Sequence, residues 1–426
     1  MHLGYDRSQS RTGHRDPGPL SLDPLYSLHL SMADAHGIDT HCTSRVFHIL
    51  DRLNCELEDV VSCHVQHVHP WLPIIHPRSL AHRVSSLRQS PSAELSSLVI
   101  NILLSNPPIT AFVLDPALVQ YVYNSGLLLA VYEQGSGHLS DAYLTLSTCA
   151  SLGYAIGLHK LPDSNTSDRE ERKRVWWATY LLDRLVYYSD KTTNRIPLTQ
   201  SARVGDALPI HDDMWTHHTD AAQWVSDVPI LSITPIERLG CFAQQIQAMS
   251  LLDRVITPMR DGLNRPKRLL DEDIYQLDTA IQNALRGTLN SSGTDWEPRY
   301  RAVVILLLAL LEHHETASAS VPHENKPALI SESSIAAIEM ALNFARDIVL
   351  MDDILDNQRM PLAAVLLLEK AGTMAIVLNA HYKRNIDVLE PLIGSLERAS
   401  KRWTIAALLN EKSSVLLNFQ TIMKTP

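Results

Sequence analysis

Apolar positions recur along most of the chain at steps of three and four, the spacing that lines up one face of an α-helix. Val46, Leu50, Leu53, Leu57 and Val60 form the first such stripe. It predicts one long helix that Pro70 ends, because proline lacks an amide hydrogen and clashes with the preceding turn. The stretch SGLLLAVYEQGSGHLSDAYLTLSTCASLGYAIGLH predicts two helices joined at Gly135-Ser136-Gly137. In the second of these, Leu146, Ala150, Gly153 and Gly157 share a face where small residues let a neighbouring helix come close. The segment SDREERKRVWWATYLLDRLVYY starts with a Ser-x-x-Glu capping box, Ser167 with Glu170, and places Glu170 four residues before Arg174. From Val175 onward it is apolar nearly all round, which predicts a central, buried helix.

Further helical patterns cover roughly 236–257, 271–286, 299–315, 333–357, 361–381 and 386–420, with turn-prone linkers such as Ser291-Ser292-Gly293 and Ala317 to Pro327 between them. No alternating β pattern of any length and no internal repeat occurs. The predicted fold class is all-α, a multi-helix platform. Residues 1–38 are rich in Gly, Pro, Ser and Asp and read as a disordered tail.

Composition narrows the function. The 426 residues are 45% hydrophobic and 20% charged, with Lys plus Arg 37 against Asp plus Glu 47, a net charge of −10. A chain this acidic does not attract phosphate backbones by its overall field, so DNA contact needs a local patch or a partner. Five scattered cysteines make no disulfide framework and suit a reducing compartment. The first residues lack the apolar core of a secretory signal. The longest apolar run, Ala302 to Leu311, is half of the roughly 20 residues a bilayer requires. A soluble, intracellular protein without membrane contact is expected.

Two patterns point to chemistry. CHVQHVHPWLPIIHP, residues 63–77, gathers Cys63, His64, His67, His69 and His76. Cys63 and His67 lie one helical turn apart and could reach a zinc ion, with His69 or His76 completing the site. No second ligand pair follows at finger spacing, and His69 and His76 each precede a proline, so the structural reading leads. MDDILD places Asp352, Asp353 and Asp356 in the DDxxD pattern by which terpene cyclases hold magnesium and diphosphate. The second acidic element such cyclases need is missing, so a solvated acidic face leads again. No nucleophile elbow, phosphate loop, dinucleotide turn or His-Glu-x-x-His pair occurs. His313-His314-Glu315 reads as the polar end of an apolar helix. Arg172-Lys173-Arg174 follows two glutamates and reads as helix-surface ion pairing, and Arg265-Pro266-Lys267-Arg268 is a weak candidate import signal.

Three segments together resemble the middle homology region of fungal-specific transcription factors, the helical part that follows the binuclear zinc cluster in that family. HVHPWLPIIHPRSL, with His69, Pro70, Pro73 and His76, looks like its first element. AYLTLSTCASLGYAIGLHK, ending in Gly157, Leu158 and His159, is similar to its small-residue helix. EERKRVWWATYLLDRLVYY, with Glu170, Arg174, Trp176, Trp177, Asp183 and Arg184, is similar to its tandem-tryptophan helix. Leu208-Pro209 falls where the family has a Leu-Pro after an extended loop. The resemblance covers roughly 60–210. The sequence departs from it in reading Asn194-Arg195-Ile196-Pro197 where most members have Gly-Arg-Pro, and in having no Cys-x-x-Cys anywhere.

The resemblance implies a nuclear transcriptional regulator of fungal genes, expected to serve a specialised-metabolite cluster. Lacking the zinc cluster in this sequence, it would act through a DNA-binding transcription factor or as a homo-oligomer, touching DNA only indirectly or weakly. An upstream exon encoding the six cysteines is a variant of that reading. The expected division is a tail at 1–38, the homology region at 39–235 and further helices of the same domain at 236–426. No cofactor, metal or catalytic residue is expected. Arg174 and Asp183 should be buried polar ties with named partners. The alternative is a magnesium-dependent, terpene-cyclase-like enzyme built on Asp352, Asp353 and Asp356. A third reading is a ligand sensor enclosing an apolar cavity of a few hundred cubic ångströms.

Overall fold

The computed structural model of the chain describes residues 32–53, 55–104, 119–160, 167–190, 195–217, 228–233, 239–260, 267–290, 299–319, 332–351, 360–382 and 389–407. The described residues are all-α. The helices run α1 Met32–Leu53, α2 Leu57–Cys63, α3 Pro77–Ser85, α4 Ala93–Leu104, α5 Val119–Gly135, α6 Leu139–Ala155 and α7 Ser167–Ser189. They continue as α8 Asp212–His217, α9 Cys241–Arg260, α10 Lys267–Asn290, α11 Tyr300–Ala319, α12 Glu332–Met351, α13 Leu362–Tyr382 and α14 Leu389–Ser400. Extended structure among these residues amounts to one isolated antiparallel bridge between Ala207 and Ile230. No helix among them is long and apolar enough to cross a membrane.

Two helices are buried on every side, as their composition requires. In α11 each residue from Tyr300 to His314 is buried, and the helix packs against α9, α10, α12 and α13. In α7 burial is continuous from Lys173 to Tyr188, with α5, α6 and α9 around it. One apolar core runs from Val46 to Ala406 and joins both.

The N-terminal region departs from expectation in three places. α1 begins at Met32, inside the stretch read as a disordered tail; residues 1–31 lie outside the described residues. The stripe from Val46 to Val60 belongs to two helices, because Glu56 starts α2 afresh. Its backbone N–H donates to the Asp59 carboxylate at 2.8 Å, a reciprocal cap that the Glu-x-x-Asp spelling disguises. Ahead of Pro70 the chain widens into a π-helical turn, His64–Val68, closed by His69 N–H to the His64 carbonyl at 2.8 Å.

Gly157 also plays a different part from the one its spacing suggests. Helix α6 stops at Ala155, and Gly157 follows with φ of 73°. Gly157 N–H donates to the Tyr154 carbonyl at 3.2 Å and Leu158 N–H to the Gly153 carbonyl at 2.9 Å. This is a Schellman stop, in which glycine supplies the left-handed conformation. Gly153 does lie at a close helix contact, since a Cβ there would come within 2.7 Å of the Tyr123 hydroxyl and 3.1 Å of the Trp176 ring.

The α5–α6 turn at Gly135-Ser136-Gly137 is where sequence places it, and Trp403 closes over it. A Cβ on Gly135 would meet the Trp403 ring at 2.1 Å, and the indole N–H donates to the Met360 carbonyl at 2.9 Å. The predicted 386–420 pattern yields α14 and then a turn that presents this tryptophan; residues 408–426 lie outside the described residues. The apolar cavity between Trp71, Leu181, Leu185, Ile305, Leu362 and Arg301 has a free volume of about 10 Å3, room for one water and not for an effector.

Gly135→Ala is expected to lower unfolding free energy by about 1–3 kcal/mol through overpacking. In a Trp403→Ala background the same change should cost much less. Urea denaturation of the four proteins checks this, and equal costs in both backgrounds would contradict the packing.

Candidate functional site

The family-like residues converge on the two ends of α7. At its start, Glu170, Lys173, Arg174 and Trp177 grip the extended segment 207–212. The Arg174 guanidinium is fully buried. Its Nε bonds Glu170 Oε1 at 3.1 Å, Nη1 bonds Asp212 Oδ1 at 2.7 Å, and Nη2 donates to the Ile210 carbonyl at 2.8 Å. Ile210 N–H returns to Glu170 Oε1 at 3.0 Å. Lys173 bridges Glu170 Oε2 at 3.1 Å and the Leu208 carbonyl at 3.5 Å, while Trp177 Nε1 donates to the Ala207 carbonyl at 2.9 Å. Leu208 and Pro209 are buried between these bonds.

Arg174 also lies 4.2 Å over the Trp215 ring, a cation–π contact in a dry setting. Burial pushes the Asp212 carboxyl up, but the Arg174 charge and hydrogen bond, with the Phe242 N–H, outweigh it and hold the group below its usual range. The second Asp212 oxygen accepts that Phe242 N–H at 3.1 Å, so one carboxylate fastens both α7 and the start of α9. The Glu170 carboxylate faces inward to these partners; the side chain of Ser167, its expected capping partner, lies outside the described residues.

Toward the other end of α7, Arg184 makes the second tie. Its Nε bonds Asp253 Oδ1 at 2.6 Å, Nη1 bonds Asp183 Oδ2 at 2.5 Å, and Nη2 donates to the Thr199 carbonyl at 2.9 Å. Burial alone would lower the Arg184 pKa, but Asp253 and Asp183 together raise it, so the guanidinium stays charged. Asp183 further accepts from Leu198 N–H at 3.0 Å and Thr199 N–H at 2.9 Å. Tyr180 donates to Asp253 Oδ2 at 3.1 Å; burial and that carboxylate raise its phenol well above the usual range. Between the two ties, Trp176 and Trp177 are both buried, and His159 packs against Trp176 with ring centroids 6.0 Å apart.

The histidine stretch folds against the same assembly. His69 stacks on Trp215 at 5.8 Å and His76 meets it edge-on at 5.3 Å. His76 Nε2 lies 3.1 Å from the Trp215 carbonyl. His64 touches His69 at 6.2 Å, is fully buried, and has neither ring nitrogen in a hydrogen bond among the described residues. Burial, reinforced by His69, pushes its pKa down to about 3. Burial, then Arg174, pushes His69 down to about 4. Both are neutral at ordinary pH. The zinc reading grouped Cys63 and His67 with His69 or His76. Among the described residues no three ligand side chains are placed to hold one metal ion. Pro70 and Pro73 turn the chain here, and the Pro70 carbonyl accepts a hydrogen bond from Arg301 on α11.

The remaining candidates fall as follows. Arg172 donates to the Ile156 carbonyl at 3.1 Å, so the basic tripeptide is engaged within the fold. His313 and His314 are buried, contrary to the polar-end reading. The helix continues past them to Ala319, and His314 Nε2 lies 3.5 Å from Asp278 on α10. Asp352, Asp353 and Asp356, and the side chains of Arg265 to Arg268, lie outside the described residues. Arg195, at the departure from the family loop, donates to the Leu139 carbonyl at 2.7 Å and pairs with Asp190 at 3.1 Å, fixing Ile196 outward in solvent. Asp212, Trp215 and Asp253 were invisible as site residues in the sequence, since nothing near them in the chain marks their partners.

These arrangements define a helical scaffold whose polar side chains hold its own loops. Residues 112–283 match the family model of the fungal specific transcription factor domain. Neither a curated protein nor a solved structure matches the chain.

Arg174→Met should destabilise by about 3–5 kcal/mol, because it strands Asp212 and Glu170 without their buried partner. Chemical denaturation of the variant measures this. Acid supplies a second test. The folded pKa values of His64 and His69 lie below the unfolded 6.5. Stability is therefore full above pH 6.5 and falls as pH drops toward 4, by about 1.4 kcal/mol per pH unit for each histidine. His64→Leu should leave neutral-pH stability within about 1 kcal/mol and make the acid limb shallower. An unchanged acid limb would contradict the buried neutral imidazole.

Proposed function

We propose that the protein is a transcriptional regulator in a fungal nucleus, controlling a specialised-metabolite gene cluster without a zinc cluster of its own in this sequence. It reaches promoters through a DNA-binding transcription factor or as a homo-oligomer, with DNA contact indirect or weak. The regulatory domain comprises 39–235 and 236–426 together. The match of residues 112–283 to the fungal specific transcription factor domain carries this reading. The acidic balance of −10 supports recruitment by a partner over direct attraction to DNA. The inward use of Glu170, Arg174, Asp183 and Arg184 supports a scaffold over a catalyst, since each is bonded within the protein.

Deleting the gene should shift transcripts of one co-regulated group of genes at least severalfold in the same direction. The tagged protein should crosslink to their promoters, while the purified protein alone does not shift that promoter DNA at physiological salt. Mass spectrometry of the crosslinked chromatin should recover a DNA-binding factor or multiple copies of this chain. Unchanged transcripts after deletion would refute the reading.

A further inference from the structure

The loop between α3 and α4 presents one serine in an unusual setting. Residues 86–92 read Ser-Leu-Arg-Gln-Ser-Pro-Ser. Leu87 is buried and anchors the loop, while Arg88, Gln89 and Ser90 are exposed in sequence. The backbone is fixed by Gln89 N–H and Ser90 N–H, both donating to the Ser86 carbonyl, at 3.0 and 2.8 Å. The Ser90 hydroxyl makes no hydrogen bond among the described residues, and Pro91 follows it directly. The other Ser/Thr-Pro step whose hydroxyl is described, Thr257-Pro258, is engaged with Asp253 at 2.7 Å within α9.

The electrostatics around Ser90 favour an added anion. From Leu72 to Ser92 the chain holds Arg78, Arg83 and Arg88 and no carboxylate, although the whole chain carries −10. The Arg88 guanidinium, two residues before Ser90, lies 4.4 Å over the Phe47 ring, a weak surface contact that a phosphate would outcompete. The positive end of α4 begins at Ala93, three residues on. Two carboxylates touch the loop and both are engaged, Asp39 with Ala93 N–H at 2.9 Å and Glu94 with the Ser92 hydroxyl.

We propose that Ser90 is a phosphorylation site for a proline-directed serine/threonine kinase, and that Arg88 receives the phosphate. The Ser90 oxygen attacks the γ-phosphorus of ATP, the bond to the β-phosphate oxygen breaks, ADP leaves, and the hydroxyl proton passes to the kinase's catalytic base. The product carries about −1.5 to −2 charge at pH 7. It draws Arg88 off Phe47 and gives that guanidinium an anionic partner. This proposal stands independently of the transcriptional reading.

Incubating the full-length protein with ATP and proline-directed kinases of the cyclin-dependent and mitogen-activated types should place phosphate on Ser90, read by site mapping in a mass spectrometer. Ser90→Ala should lose that site. Phosphorus NMR titration of the phosphorylated protein should give a second phosphate pKa below that of a phosphopeptide spanning 84–96. Arg88→Ala should return it to the peptide value. No phosphate at Ser90 with either kinase type would overturn the site, and a pKa equal to the peptide's, or one that Arg88→Ala leaves unmoved, would overturn the receiving role of Arg88.

Discussion

Two arginines buried on one helix impose the strongest constraint on this structure. Removing a guanidinium from water is costly, and the cost is offset only where carboxylates and carbonyls surround it with good geometry. Arg174 and Arg184 each meet that condition by drawing in a carboxylate from a distant part of the chain, Asp212 and Asp253 respectively. The segments that supply Ile210, Leu198 and Thr199 must then lie along α7. The Ile210 and Thr199 carbonyls complete the same shells, and the Leu198 and Thr199 N–H groups bond Asp183, the neighbour that pairs with Arg184. Apolar packing sets how much stability the core has; these charges set which loop goes where.

The helices were largely legible in the chain because the 3.6-residue period is a local signal. The tandem-tryptophan helix stood out for the same reason, being apolar on all sides. What could not be read were events decided by one or two backbone groups. The restart at Glu56 rests on a single N–H held by Asp59, and the true role of Gly157 rests on one left-handed residue just beyond a helix end. The remote partners were equally hidden. Arg174 announces that it needs a carboxylate, and Glu170 is visible at i−4, but nothing in the sequence near Asp212 says that it is the second.

The histidine stretch shows how a chemical-looking pattern becomes architecture. An imidazole such as His69, stacked on Trp215 and held neutral by burial, behaves as a flat, moderately polar core group. The same tryptophan receives Arg174 on its face, so His69, His76 and Arg174 share one indole. His313 and His314 repeat the lesson on α11, where two histidines that seemed to end a helix are instead buried within it. Spacing offered a metal site in the first place and a polar helix end in the second, whereas the three-dimensional surroundings bury histidines in both.

The seat of Trp403 on Gly135 has an implication for how the molecule is born. The ribosome releases the α5–α6 corner long before it has made the residue that covers it, so the nascent corner waits bare through about 270 further additions. At bacterial-to-eukaryotic elongation speeds that interval is on the order of tens of seconds. During it the Gly135 corner has no lid of its own, which makes the unfinished chain a natural client for chaperones until Trp403 arrives.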